Sequence, residues 1–451
     1  MQAGSLGEAD ATGVLAHGVG SSADLPLPLD LVLQAGAATV VLSFLVSALW
    51  WREPRLVAAE PRPPRASRWV RFAVLALALY LVGNAFLGPR GPENPAAHAV
   101  FVWLWVGLIP LSVVFGPVWR TINPLRTLYA LLRGLLGTRL FGGRRLPAGG
   151  LRPLPPGSSA GTWPAAAYLL GFVWFELAAP HHGDPVAVGV FLLGYAGTQL
   201  AFATVRGEEW FARGDCFEVY SELAGRLSPL QPSPVQPSSV QPSSVQPSPA
   251  RFGPARFGAV RWLRPLSGLA APLPAGAGVA AFLAIWWGST VFDSASASPF
   301  WAGFVQRAGL PVLWATAGLV GFCALVFAAV RWTAGRLDVT ASLIPIAVGY
   351  TLAHYLSLLL VEGPRGVLLL LQQWGIGAGA RWDVVPVPEV IAGAQIALIL
   401  IGHVLGVVIA HDRALAADPG RPPLAVLADE LPMVLFMIAC TWAGLFLLFV
   451  R

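Results

Sequence analysis

Ten stretches, each about 17 to 25 residues long and nearly free of charge, recur along this chain of 451 residues, and no other feature restricts its fold so tightly. They cover approximately 29-50, 70-88, 98-118, 163-179, 186-205, 270-289, 310-330, 340-361, 389-410 and 431-449. In hydrocarbon a backbone must satisfy its own hydrogen bonds, so a run of this length crosses as an α-helix. The expectation is an all-α polytopic transmembrane helix bundle. Residues are 56% hydrophobic and only 12% charged, which excludes an ordinary soluble domain.

The positive charge tells the two faces apart. All 29 basic residues are arginine; 24 of them fall in alternate connections, while only Arg90, Arg307, Arg365, Arg381 and Arg451 fall in the others. The positive-inside rule places the arginine-rich side in the cytoplasm and both termini outside, in a cell (inner) membrane. Residues 1-205 then hold five spans, 206-269 form a cytoplasmic loop, and 270-451 hold five more. The first residues include Glu8 and Asp10 in place of a basic leader, so no cleaved signal peptide is expected. Cys216, Cys323 and Cys440 lie far apart and share no metal or redox spacing.

The long loop divides into three. Phe217, Tyr220, Leu223 and Leu227 recur at helical spacing with Glu218 and Glu222 between them, predicting an amphipathic helix on the membrane surface. A five-residue QPS repeat from Gln231 to Ala250 predicts an extended linker. Arg251, Arg256, Arg261 and Arg264 then stand among aromatics, a composition suited to anionic lipid headgroups; no nucleic-acid module accompanies them. Residues 366-380 are too few to cross, leaving an interfacial and a re-entrant placement open.

Polar residues inside the apolar runs carry the functional expectations. In the ninth run, Gly402, Gly406 and Ala410 form a small-residue stripe for close helix packing, with His403 beside it and Gln395 two turns before. A buried histidine there serves either a polar path or merely a neighbouring carbonyl. Pro110 and Pro345 predict kinks in the third and eighth runs.

On the outer side, His17, His98, Glu176, His181, His182, Asp184, Asp293, His354 and Glu362 collect. Imidazoles with carboxylates at one surface suit a divalent metal such as zinc or manganese that activates water. His181, His182 and Asp184 are the candidate ligands, with Glu176, Asp293 and His354 as candidate catalytic groups; solvated loop histidines are the competing reading. No H-E-x-x-H occurs. Asp293 and His354 are also spaced to pair with each other. On the inner side Arg120, Asn123, Arg126, Glu208, Glu209, Asp215, Glu218, His411, Asp412 and Arg413 suggest either a lattice locking the loops together or a gate or anion site.

The segments AHGVGSSADLPLPL (Ala16 to Leu29), FGPVWRTINPLRTL, GDCFEVYS, GSTVFD, IPIAVGYTLAHYLSLL and GHVLGVVIAHDRAL together resemble the bacterial polytopic membrane proteins called fenitrothion hydrolases, frequent in actinobacteria. The resemblance runs over most of the chain outside the QPS repeat and the first twelve residues. It implies hydrolysis of an organophosphorus triester; an apolar substrate of that kind partitions into the bilayer, which suits a site opening towards lipid or the outer leaflet. Two other classes stay open: a transporter using His354, His403 and Gln395 along a polar path, and a structural or assembly protein.

Overall fold

The computed structural model describes residues 25, 28–136, 149–152, 161–232, 260–262, 266–274, 276–334, 340–417 and 423–449. His17, the body of the QPS repeat, and Arg251, Arg256 and Arg264 of the basic-aromatic segment lie outside them.

The described chain is helical, apart from a short antiparallel pair, β1 (Leu230–Pro232) and β2 (Val260–Trp262), at the two flanks of the repeat. The first half runs α1 (Leu29–Trp50), α2 (Arg68–Leu87), a π-helix (His98–Leu104) leading into α3 (Leu108–Phe115), α4 (Val118–Ile122), α5 (Pro124–Leu136), α6 (Trp163–Leu177) and α7 (Pro185–Arg206). Three short helices follow, α8 (Phe211–Gly214), α9 (Cys216–Gly225) and α10 (Ser267–Ala270). The second half is α11 (Gly278–Ser296), α12 (Pro299–Ala308), α13 (Pro311–Ala334), α14 (Leu343–His354), α15 (Leu356–Gln373), α16 (Pro388–Ala417) and α17 (Pro423–Phe449). Polar caps mark several starts: Ser67, Asp184, Asp215 and Ser298 each accept from a backbone N–H of the helix they precede.

Seven helices among the described residues are long and apolar enough to cross a membrane, and an eighth crossing is made if α14 and α15 count as one. Their outward faces are apolar: Leu42, Leu49, Leu79, Leu87, Val190, Leu325 and Trp332 are exposed. In water such a surface would aggregate; facing lipid it is in its own solvent. The molecule is a membrane-embedded helical bundle.

The expected runs are not ten equal crossings. The sixth is displaced towards the C-terminus, from 270-289 to Gly278–Ser296, and α11 is buried on almost every side, as an apolar helix at the core of a bundle is. The fourth, α6, has only 15 residues. The eighth breaks at Tyr355, where α15 turns 63° away from α14. Pro345 is not the cause of that break; it lies in the first turn of α14, where no N–H is required. Pro110 likewise enters α3 in its first turn, just after the π-helix changes pitch. Beyond Gln373 the chain leaves α15 through exposed turns with positive φ at Gly375, Gly377 and Gly379, so this end of 366-380 lies on the surface.

A second correction concerns the surface helix expected over 217-227. The segment forms α9, but nine of its ten residues are buried, wedged against α3, α4 and α6. Its hydrophilic side faces protein: Glu218 meets Arg126, and Ser221 meets Ser112 at 2.8 Å. The apolar side reaches the bundle core, where the Tyr220 hydroxyl donates to the Trp105 carbonyl at 2.9 Å and its ring packs on Trp286. An amphipathic pattern cannot tell water from a polar protein wall.

The small-residue stripe is a backbone-to-backbone seam. A Cβ added to Gly402 would lie 2.5 Å from the Pro345 carbonyl oxygen, and one on Gly406 2.8 Å from that of Ser342. In return, a Cβ on Gly349 would lie 2.5 Å from the Leu398 oxygen. Only hydrogen lets α14 and α16 approach this closely. Gly402→Val is therefore expected to cost about 1–3 kcal/mol through forced separation, read as a lower unfolding midpoint in mild detergent. Gly183 and Gly134 have open space at the Cβ position and flank α7 and end α5 respectively. In a cysteine-free background, Gly183→Cys is expected to react with an impermeant maleimide in intact cells and Gly134→Cys only after lysis.

Candidate functional site

Three residues picked out as candidate catalytic groups, Glu176, Asp293 and His354, stand in one buried region at the end of the bundle away from most arginines. Asp293 lies in the last turn of α11, His354 ends α14 and Glu176 is the penultimate residue of α6. They are 8%, 2% and 1% exposed, so water does not solvate them. The break at Tyr355 puts His354 and Tyr355 side by side against α11. His354 Nε2 is 2.8 Å from Asp293 Oδ2, and the Tyr355 hydroxyl donates to the same oxygen at 2.9 Å. On the other side of the ring, Nδ1 is 3.0 Å from Ser294 Oγ, which is 3.0 Å from the Tyr350 hydroxyl.

These bonds form a chain in which Ser294 and His354 each give one bond and receive one, while Asp293 receives from both of its neighbours. With an ionised Asp293, Nε2–H donates to the carboxylate, Nδ1 accepts from Ser294, and Ser294 accepts from Tyr350. A proton delivered to Nδ1 would make an imidazolium whose Nε2–H can pass to Asp293, leaving the other neutral tautomer of His354 and a protonated acid without moving a heavy atom. Glu176 stands within electrostatic reach of Asp293, Tyr220 and Tyr355, and its Oε2 is buried with no hydrogen-bond partner. That oxygen therefore has unused acceptor capacity.

The proposed metal ligands have other employment. Asp184 accepts from Val186 N at 2.7 Å as the cap of α7, His182 Nδ1 lies 3.2 Å from the Ala179 oxygen, and His181 is exposed with a positive φ. They do not join Glu176 and Asp293 in a ligand set, and no group of three or more His, Cys, Asp or Glu among the described residues is arranged to hold a metal. His354 does not suit one either, since its two nitrogens face Asp293 and Ser294. A zinc or manganese centre does not fit this donor set.

His403 is buried on α16, its Nδ1 donating to the Ile399 oxygen one turn earlier at 2.8 Å while Nε2 has no partner. Gln395 donates to the Ala353 oxygen at 2.9 Å, which ties α16 to the turn carrying His354. His98 and Glu362 pair at 2.9 Å, and Arg365 holds the other carboxylate oxygen at 3.2 Å.

At the arginine-rich end the geometry is a lattice. Arg126 grips Glu218 through two bonds of 2.7 Å and reaches Glu208 at 3.1 Å, while Asn123 donates to Asp215 at 2.7 Å. Arg120, largely exposed, only grazes Glu218 at 3.9 Å. Farther along, His411 lies between Glu430 at 3.0 Å and the Trp51 oxygen at 2.9 Å. Asp412 accepts from Trp51 Nε1 and from the backbone N–H groups of Arg55 and Leu56. This lattice stitches the 51–56 segment, α16 and α17 together.

Sequence reading missed Ser294, Tyr350, Tyr355 and Glu430. Ser294 and Tyr355 directly follow Asp293 and His354, so adjacency was a usable signal. Glu430 stood outside the expected tenth run by a single position. The comparisons add no relative: no protein-family model, curated protein or solved structure matches the chain.

The Arg126–Glu218 pair yields a stability prediction. Arg126→Ala leaves Glu218 buried without its fork and is expected to cost about 3–5 kcal/mol; Arg126→Ala with Glu218→Gln is expected to recover part of it, measured by denaturant unfolding in detergent.

Proposed function

We propose that this membrane protein moves protons through its core as part of transport, with Asp293 and His354 as the pair that takes up and passes on the proton. The observation that carries this reading is the bonded sequence Tyr350–Ser294–His354–Asp293–Tyr355, buried at the break between α14 and α15. Charged groups in the apolar interior of a bundle are expensive, and chains of acids and imidazoles there suit proton relays. A broken helix with polar side chains at the break suits a substrate or ion site that alternates between two faces. Glu176 supplies the next acceptor. Gln395 holds the break against α16, so a change at His354 is felt by the seam that carries His403.

Hydrolysis, which the family resemblance implies, is the second reading. Its support is Ser294, His354 and Asp293 bonded in that order, as a hydroxyl, a base and an orienting carboxylate are in acyl and phosphoryl transfer. The burial of all three argues for the relay instead, because a nucleophile must meet its substrate.

In liposomes holding a pH-sensitive dye, a potassium diffusion potential is expected to drive proton entry that falls roughly 100-fold in Asp293→Asn and His354→Gln. Undiminished flux in both variants would remove the relay. Covalent trapping of Ser294 by an activated phosphotriester, seen as a mass shift on its peptide, would favour hydrolysis.

A further inference from the structure

The segment between α1 and α2, residues 51–67, has no helix of its own and is laid across the arginine-rich end of the bundle. Asp412 of α16 holds its start, the Ala59 N–H donates to the Ser267 carbonyl of α10 at 3.0 Å, and the Pro64 carbonyl accepts from Thr121 of α4 at 2.6 Å. It is a strap tying α16 to α4.

His411 is the point at which a proton governs that fastening. Its ring, 4% exposed, has an acceptor at each nitrogen: Nδ1 lies 3.0 Å from both Glu430 oxygens, and Nε2 lies 2.9 Å from the Trp51 carbonyl oxygen. A neutral imidazole carries one N–H, so filling both contacts takes two protons held between His411 and Glu430, as imidazolium with carboxylate or as imidazole with carboxylic acid. In either form Nε2–H donates to Trp51. Once one proton is lost to water, one contact sets a lone pair against a lone pair. The carboxylate is the stronger acceptor and keeps the remaining N–H, so Trp51 is the partner that loses its bond.

The charges around the ring are otherwise engaged. On α16, Asp412 Oδ1 takes Trp51 Nε1 and the Arg55 and Leu56 N–H groups, and Arg413 donates to the Leu269 carbonyl at 3.1 Å. On the strap, Arg55 lies over the Trp51 ring and donates to the Trp50 carbonyl, while Arg52 and Glu53 are exposed, as is Asp429 beside Glu430 on α17. The first turns of α14, the last turns of α1 and all of α10 carry no ionisable side chain.

We propose that His411 and Glu430 form a proton-operated latch on this strap: holding two protons the pair fastens Trp51 to α16, and loss of one as the pH rises frees it. The latch is independent of the proton relay, since about 24 Å of α16 separates His411 from Gln395, which bonds beside His354.

The test uses the full chain in lipid nanodiscs, with its own cysteines replaced and a nitroxide label on Glu53→Cys. Raising the pH from about 6 to about 9 spans imidazole titration. The ratio of mobile to immobile label is expected to rise about tenfold, the worth of one charge-assisted hydrogen bond. Glu430→Gln separates a titrating latch from a merely structural contact. Its amide donates to Nδ1 and lets a neutral ring keep Nε2–H on Trp51, so the label is expected to stay immobile at both pH values. With His411→Phe it is expected to be mobile at both; should that variant not fold, the other two spectra decide. An unchanged spectrum in the chain with native His411 and Glu430 overturns the latch. A Glu430→Gln spectrum that still responds to pH overturns its assignment to this pair. A label on Leu42→Cys that loosens in parallel shows the whole bundle opening and overturns it equally.

Discussion

A polar group inside an apolar bundle has only other parts of the protein to bond with, and this molecule is arranged around that necessity. Asp293 on α11 is met by His354 and Tyr355 at the end of α14, and Ser294 returns the contact to the same ring. Two helices are thereby locked in rotation as well as in distance: turning α14 by one residue would strand a carboxylate in a medium where its isolation costs several kcal/mol. The break at Tyr355 belongs to the same arrangement, because a straight helix would carry Tyr355 about 100° around the axis from His354 and away from the shared oxygen.

The backbone seam between α14 and α16 depends on the same anchoring. Gly349, Gly402 and Gly406 permit the approach, but glycine confers no preference for one register over another. Gln395, bonded to the Ala353 oxygen beside His354, sets the register from the polar side. Packing thus supplies closeness, and directional bonds supply uniqueness. His403, next to Gly402 on α16, has one nitrogen bonded to its own helix and the other buried, and is no part of the bonded chain.

At the arginine-rich end, the analogous role falls to α9. Its acidic residues face Arg126 and Asn123, while Tyr220 projects to Trp105 and Trp286 in the core. The helix therefore joins the charged lattice to the region of Glu176.

Hydropathy alone determined that the chain is a helical membrane bundle, and Arg126, Glu218, His411 and Asp412 were legible as groups of the arginine-rich end, because apolar length and charge placement are local properties of a sequence. Glu176, Asp293 and His354 were legible as candidates for the same reason. What joins them was not: Ser294 and Tyr350 carry no periodic signal, and the shift of α11, the bend at Tyr355 and the burial of α9 each arise from partners distant in the chain. His181, His182 and Asp184 show the converse, a suggestive cluster along the sequence in which Asp184 caps α7 and His182 bonds the Ala179 carbonyl. Composition reports which solvent a segment prefers; only packing decides which polar atoms are close enough to share a proton.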